Sequence, residues 1–286
     1  MAEREIIPKS VLRRRKFFNA LFLTLNWVAI GIGLSVLFWI LGYLTIKGVQ
    51  GLSIDLFTKV GGDPSDGGLL HAFVGHAIIS LLTVLIGVPI GIAIGIYLAE
   101  YARYSKLGRF LSDVSDIMLA APSIVIGVFV YIVLVKPLGN FNALAGAVAL
   151  AILMIPVILK TTQNMLLMVP DTLREAAIAL GAPKWKVILS VVLPAARVGI
   201  LTGIILGIAR IIGETAPLLF TSFNNNFLNF NIFKPMASLT VTIYQYALSP
   251  FPNWQKQAFA AALILTLLVL ASTLIAKFVI ARRYKH

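Results

Sequence analysis

The chain has 286 residues, of which 59% are hydrophobic and only 12% are charged, about half the charged share of an average soluble domain. This composition excludes a soluble domain and is typical of a polytopic membrane protein. The absence of cysteine excludes disulfides, a thiol nucleophile and cysteine–metal sites, and the three histidines are too scattered to suggest a metal site.

The hydrophobic pattern predicts an all-α fold with about six membrane-spanning helices. A basic segment, residues 1–16, precedes the first span. The hydrophobic run that follows is too long for a secretory signal peptide and lacks a small-residue cleavage site, so we expect it to be retained. The predicted spans cover residues 17–46, 71–99, 117–135, 142–159, 198–221 and 257–280.

The spans divide the chain into four segments. Residues 17–70 hold the first span and a glycine-rich external loop, and residues 71–281 form the main transmembrane domain. Residues 1–16 and 282–286 are short basic ends. An asparagine-rich loop separates the fifth span from the sixth.

Positive charges predict which side of the membrane each segment faces. Eighteen of the 24 Lys and Arg residues lie at the two chain ends or in the loops after the second and fourth spans. Five lie in the three segments on the opposite side, and Arg210 lies inside the fifth span. The positive-inside rule therefore predicts cytoplasmic termini. It also explains the net charge of +13 without a nucleic-acid partner.

Two spans carry glycine at every fourth position. Small residues at this spacing let a second helix approach closely, so we expect both rows to be helix-packing faces. The rows are Gly87, Gly91 and Gly95 in the second span and Gly199, Gly203 and Gly207 in the fifth.

The loop from residue 165 to residue 197 is predicted to hold two short helices on the cytoplasmic face. Thr172 and Glu175 have the spacing of a capping box, which predicts a helix start. Gly181 can end that helix in the left-handed conformation. Pro183 favours the first turn of a second helix, and we expect Pro194 to end it.

This loop resembles the EAA loop of ABC-importer permeases. The matching residues are Glu175-Ala176-Ala177, then Gly181, then Val191-x-Leu193-Pro194, where the family commonly has isoleucine in place of Val191. A helix cap alone would account for Glu175, but not for the whole pattern. The resemblance implies that Glu175, Ala176, Ala177 and Gly181 couple the chain to a cytoplasmic ATPase.

Three further segments resemble the permease subunits of phosphate ABC importers: residues 97–102, 121–127 and 210–217. The resemblance implies a type I ABC-importer fold in a prokaryotic inner membrane, surrounded by lipid. It also implies three kinds of partner: a similar but non-identical permease, two ATPase subunits, and an extracytoplasmic phosphate-binding protein. The chain has no GxxxxGK[ST] run, so ATP is expected on the partner. We expect no cofactor or metal on this chain, and no enzymatic activity of its own.

Arg210 and Glu214 stand inside an apolar span, where a charge costs roughly 2.5–3.5 kcal/mol on insertion scales. On an ideal helix both share one face with the glycines of the fifth span, and their spacing allows an ion pair. A purely structural ion pair is one alternative. The other is an anion path lined by Arg210, Glu214 and Thr215, because a guanidinium matches the geometry of phosphate oxygens. Pro217 predicts a bend that serves as a hinge.

The sequence therefore predicts the transmembrane permease subunit of an ATP-driven phosphate importer. Within that class, phosphonate and molybdate are alternative substrates. A polytopic membrane enzyme, such as a lipid phosphatase, is the alternative from another class, but the sequence shows no clustered acids or histidines suited to catalysis. In an ion channel, the third possibility, the EAA loop would have no role.

Overall fold

The computed structural model describes residues 9–281, and within that range every regular element is helical. The predicted all-α fold is therefore confirmed for this part of the chain. Arg4 and residues 282–286, which contribute to the charge count, lie outside the described residues. The helices are α1 (Lys9–Gly51), α2 (Asp55–Thr58), α3 (Leu70–Ile96), α4 (Lys106–Ala120), α5 (Ser123–Val130), α6 (Lys136–Leu138), α7 (Ala143–Leu167), α8 (Asp171–Ala179), α9 (Lys184–Val187), α10 (Leu193–Ile212), α11 (Ala216–Thr221), α12 (Leu239–Ala247) and α13 (Pro252–Ala281).

Three π-helical turns of five residues extend or join these helices. Such turns appear mostly as single insertions, often at functional positions. They are Tyr97–Tyr101 after α3, Tyr131–Val135 between α5 and α6, and Ile188–Val192 between α9 and α10.

Five helical stretches are long and apolar enough to cross a membrane, and α4 with α5–α6 makes a sixth candidate if the bent pair counts as one span. The predicted number of about six spans is thus confirmed. The first of them, α1, has 43 residues and is roughly 65 Å long, about twice the thickness of a bilayer core. Its side chains are exposed from Val11 to Tyr43, and its last turns pack against α13, where the Tyr43 and Phe259 ring centroids lie 5.8 Å apart.

The core of the domain is α7, which lies between α3 and α10 and is buried along most of its length. Both glycine rows face it. A Cβ added to Gly91 would stand 2.9 Å from Cβ of Ile158, and one added to Gly95 would stand 2.7 Å from Cβ of Thr162. These distances are shorter than real side chains allow, so the α3–α7 contact requires glycine. The three glycines of the fifth span contact α7 from the other side, at Met165, Thr161 and the pair Met154 and Ile158.

The predicted third span, residues 117–135, is wrong at its start. Helix α4 continues to Ala120, and α5 begins at Ser123 after a bend of 104°. Ala121 and Pro122 are both extended. For Ala121 the reason is that a residue before proline is disfavoured in the helical region. Helix α4 also occupies most of what the sequence predicts as a charged loop after the second span. It is amphipathic, with Gly108 and Ser115 buried on one face, and Ser105 caps it by accepting a hydrogen bond from the Gly108 N–H at 2.9 Å.

Candidate functional site

The fifth membrane helix is broken where the sequence places its charged residues. Helix α10 ends at Ile212, and α11 begins at Ala216 with Pro217 in its first turn. Pro217 has no backbone N–H to donate to the preceding turn, so it favours a new helix start over a continuous helix. The bend predicted before Pro217 is therefore a complete break over residues 213–215.

The break separates the predicted pair. Arg210 is on α10, whereas Glu214 lies in the non-helical segment, where its N–H donates to the Ile211 carbonyl at 3.2 Å. The prediction that Glu214 continues the helical face is wrong, and no ion pair joins it to Arg210 among the residues described. Arg210 is exposed, beside the buried glycine face of α10, and forms an exposed strip with Leu206 on the helix and Gly213 just after its end.

A second helix end approaches the same break. The Thr240 hydroxyl, in the first turn of α12, donates to the Glu214 carbonyl at 2.9 Å. Ser238 caps this helix by accepting a hydrogen bond from the Val241 N–H at 3.3 Å. A helix N-terminus carries a partial positive charge, and the Thr240 contact brings that end of α12 to the broken segment, which follows the Arg210-bearing last turn of α10. Broken helices of this kind bind anionic substrates in several transporter folds.

Sequence analysis missed α12, because the segment 222–256 was predicted to be a loop. The signal that could have revealed it is Ser238 followed by the apolar and hydroxyl run from Leu239 to Tyr246, since serine is a strong N-cap. Ser238, Thr240 and Thr242 are all buried. Through the hydrogen bond from Thr240, the start of α12 contacts the predicted segment that contains Glu214 and Thr215, which are both half-buried.

Packing holds the far side of the break in place. Helix α11 lies against α5, and a Cβ added to Gly127 would stand 2.6 Å from the Cα of Pro217. The two segments singled out by resemblance, residues 121–127 and 210–217, are therefore in direct contact. Gly127 allows the close approach that holds α11 beside the third span.

The first helix of the loop between α7 and α10 has its N-cap two residues earlier than predicted. Helix α8 starts at Asp171, its N-cap is Pro170, and no side chain caps it. The predicted capping box is wrong, because Pro170 takes the N-cap position with φ −58° and ψ 138° and leaves Thr172 inside the first turn. Glu175 is exposed.

The predicted left-handed conformation at Gly181 is confirmed, with φ +81°. The Gly181 N–H donates to the Ile178 carbonyl at 2.8 Å and the Ala182 N–H donates to the Ala177 carbonyl at 3.2 Å, which together form a Schellman motif. Ala176 and Gly181 are exposed, and Ala177 is half-buried. The surface of the loop at the C-terminal end of α8 is therefore exposed and covered by no other part of the described chain.

The second helix of the loop does not end at Pro194. Helix α9 continues through the π turn Ile188–Val192 into α10, and together they form one helical stretch from Lys184 to Ile212. A proline inside a helix removes one hydrogen bond and pushes away the carbonyl of the preceding turn. The wider π turn before Pro194 provides that space, so the loop and the fifth span share a single helix.

Arg174, which sequence analysis did not single out, is the most connected side chain of the loop. Its Nη2 lies 2.7 Å from Oε1 of Glu100 and donates to the Leu166 carbonyl at 2.7 Å. Its Nη1 donates to the Val169 carbonyl and to Asp171 at 3.1 Å. The hydrogen bond to Glu100 raises the pKa of Arg174 above its ordinary value, against the opposing effect of burial.

The described residues contain no group of three or more His, Asp or Glu side chains that could hold a metal ion. Two groups of polar residues bear on the predicted sites. One lies at the broken helix around Arg210, and the other lies in the loop around Arg174.

Comparisons with known proteins agree on one family. A family model described as "Binding-protein-dependent transport system inner membrane component" matches residues 91–286. The chain is 50% identical over 257 residues to the phosphate transport system permease protein PstA of Haemophilus influenzae, covering 90% of this chain and 91% of that protein. It is 48% identical over 272 residues to the protein of the same name from Pasteurella multocida, covering 95% and 97%.

A solved structure supports the fold. A chain in the crystal structure of a bacterial alginate ABC transporter, in complex with an alginate pentasaccharide-bound periplasmic protein, is similar with a TM-score of 0.62. The match covers 94% of both chains at 15% sequence identity. It confirms the predicted ABC-importer permease fold.

Proposed function

Because this chain belongs to the family of binding-protein-dependent transport system inner membrane components, and to the PstA-type permeases within it, we propose that it is the permease subunit of an ATP-driven phosphate importer. The observation that carries the proposal is the similarity to PstA over nine-tenths of the chain. The broken fifth helix, beside which Arg210 has no ion-pair partner among residues 9–281, gives that assignment a physical basis.

In this proposal Arg210 contacts the anion. An arginine inside a membrane span is costly unless it faces a cavity or a partner, and Arg210 is exposed on the strip that also carries Leu206 and Gly213. A second permease facing this strip would complete the path. The N-terminal turn of α12 adds donors and partial positive charge nearby, while Glu214 limits the net positive charge and so keeps the anion from being trapped.

The exposed side chains of the cytoplasmic loop support an ATPase partner. Leu180 is 89% exposed, Trp185 is 60% exposed and Ile178 is 55% exposed, and all three lie close to the Gly181 turn. Large apolar side chains grouped on a polar loop indicate an interaction surface. We assign this surface to the ATPase subunit, with the termini and this loop on the cytoplasmic side of a prokaryotic inner membrane.

The continuous helix from Lys184 to Ile212 can transmit a movement of the ATPase directly from the loop to the fifth span. A push on the loop would move α9, the π turn and α10 together and so displace Arg210. Helix α11, held against Gly127, would remain with the third span. The break at residues 213–215 is where these two motions would separate, and this is the role proposed for the segment before Pro217.

Uptake of labelled phosphate by vesicles tests the proposal. The vesicles contain this chain with its candidate permease and ATPase partners, and the binding protein is added outside. ATP-dependent phosphate uptake is expected, and vesicles without this chain serve as the control. Competition by molybdate or a phosphonate tests the alternative substrates. Uptake of either anion in preference to phosphate would contradict the assignment of substrate while retaining the class.

A further inference from the structure

Glu100 and Arg174 join two parts of the molecule that are far apart in sequence. Glu100 lies in the π turn that ends the second span, and Arg174 lies in α8 of the cytoplasmic loop. Three contacts of 2.7 to 3.3 Å connect the guanidinium and the carboxylate. The Arg174 and Glu100 side chains are only 13% and 6% exposed, so this pair is shielded from water, unlike most ion pairs at a protein surface.

The same guanidinium also holds the end of the fourth span. It donates to the carbonyls of Leu166 and Val169, which lie at the C-terminal end of α7, where helical carbonyls lack partners. Arg174 therefore contacts three elements: the end of α3, the end of α7 and the first turn of α8. A lysine cannot make this set of contacts, because it lacks the planar fork.

The second helix of the loop attaches to the same place. Nζ of Lys184 donates to the Glu100 carbonyl at 2.6 Å and lies 4.5 Å from the centroid of the Tyr101 ring. Both helices of the loop thus bind residues 100–101. Beneath them, Ala99 belongs to a buried apolar cluster with Leu166, Val169 and Val187, which excludes water and strengthens the charged contacts.

We infer that Glu100 and Arg174 are positioning residues that connect the coupling loop to the second span. The loop is covalently continuous with α7 and α10, but α3 reaches it only through side-chain and packing contacts across this junction. When the loop moves, the ion pair carries the end of α3 with it, and the π turn Tyr97–Tyr101 provides the local adjustment. The inference rests on the proposed function, since it requires a stroke delivered to the loop.

The number of phosphate ions moved per ATP hydrolysed tests this role. In the assembled importer, Glu100→Gln is expected to keep ATP hydrolysis while the ratio of phosphate to ATP falls about tenfold, within the usual range of coupling between sites. Arg174→Lys should act in the same direction. A matched control is Asp116→Asn, which removes the Lys160–Asp116 ion pair of 2.7 Å between α7 and α4 and should leave the ratio unchanged. A pair that only stabilises the fold would lower the yield of complex but not the ratio.

A cross-link provides a second measurement, first in a chain that keeps both Glu100 and Arg174. The chain has no cysteine, and Arg103 and Asp171 form an exposed pair at the same junction, with Nη1 and Oδ1 3.4 Å apart. Arg103→Cys with Asp171→Cys can therefore be joined by a short bis-methanethiosulfonate. Asp171 is also a partner of Arg174, so the reference is the same double-cysteine importer before cross-linking. If the loop and α3 move together, cross-linking should leave its transport rate unchanged, and cross-linking in the Glu100→Gln background should restore the ratio.

These outcomes separate the inference from the proposed function. Absence of ATP-dependent phosphate uptake by the unmodified importer would reject the function itself. Normal uptake by the unmodified importer, together with an unchanged ratio in Glu100→Gln, would reject only the role of the ion pair. Loss of transport on cross-linking would also reject it, because the loop would then have to move relative to α3.

Discussion

Gly127 and Pro217 meet across the third and fifth membrane spans, and a Cβ on Gly127 would stand 2.6 Å from the Cα of Pro217. The contact is to backbone, which cannot move aside as a flexible side chain can. Gly127→Ala is therefore expected to destabilise the protein by about 1–3 kcal/mol, the usual cost of overpacking, and to reduce transport. The thermal midpoint of the purified complex measures this. Gly42→Ala is the control, because nothing lies within 4 Å of that position, and equal midpoints for the two variants would contradict the prediction.

Arg210 is expected to be required for phosphate uptake but not for assembly, because it is exposed and forms no ion pair within residues 9–281. Arg210→Ala should abolish uptake, and Arg210→Lys should impair it strongly, since lysine lacks the bidentate fork. Arg197→Lys, at an exposed position of the same helix, should be near normal. Near-normal uptake by the double variant Arg210→Leu and Glu214→Leu would reject the anion path.

Substitutions at Gly181 should rank by their tolerance of positive φ. No atom lies within 4 Å of an added Cβ, so the cost comes from the backbone alone, about 1–2 kcal/mol for an ordinary residue. We expect ATPase binding to be best retained in Gly181→Asn, reduced in Gly181→Ala and lost in Gly181→Val, with membrane insertion intact in all three. Co-purification with the ATPase measures this order. A Gly181→Val complex that purifies and transports normally would contradict the coupling role.

Reporter fusions test the predicted orientation. A reporter that is active only outside the cytoplasm should work when fused near Asp63 or Asn225. It should be silent when fused near Lys106 or Lys184, because these positions belong to the positively charged side. A strong external signal at Lys184 would contradict both the topology and the assignment of the EAA loop.

Hydropathy and local spacing predicted the features that depend on neighbouring residues. The spans, the close helix contacts at Gly91 and Gly95, and the left-handed turn at Gly181 all follow from short patterns. Thr172 and Glu175 show the limit of this reasoning, because the pattern of a capping box was present but Pro170 occupied the N-cap position.

Contacts between distant segments were beyond such patterns. Arg174 and Glu100 are 74 positions apart, and nothing local to either residue indicates the other. The same holds for Thr240 and the Glu214 carbonyl, which are 26 positions apart. In both cases a side chain binds a group that the fold brings to it, and a single sequence carries no signal of that neighbour.

The sharing of α7 by two glycine rows limits how this subunit can deform. Met154 meets both Gly87 and Gly207, and Ile158 meets both Gly91 and Gly207, so the same side chains fit between two helices at once. An added Cβ would lie within 2.0 to 2.9 Å of α7 at Gly91, Gly95, Gly199 and Gly203. Sliding of α3 or α10 along α7 would bring Cβ-bearing positions into these tight contacts, so sliding is sterically opposed. We expect the packed midsections of the three helices to move together and relative motion to be confined to their ends, such as the π turn Tyr97–Tyr101. An opening for the anion would then form at the boundary with the second permease rather than within this chain.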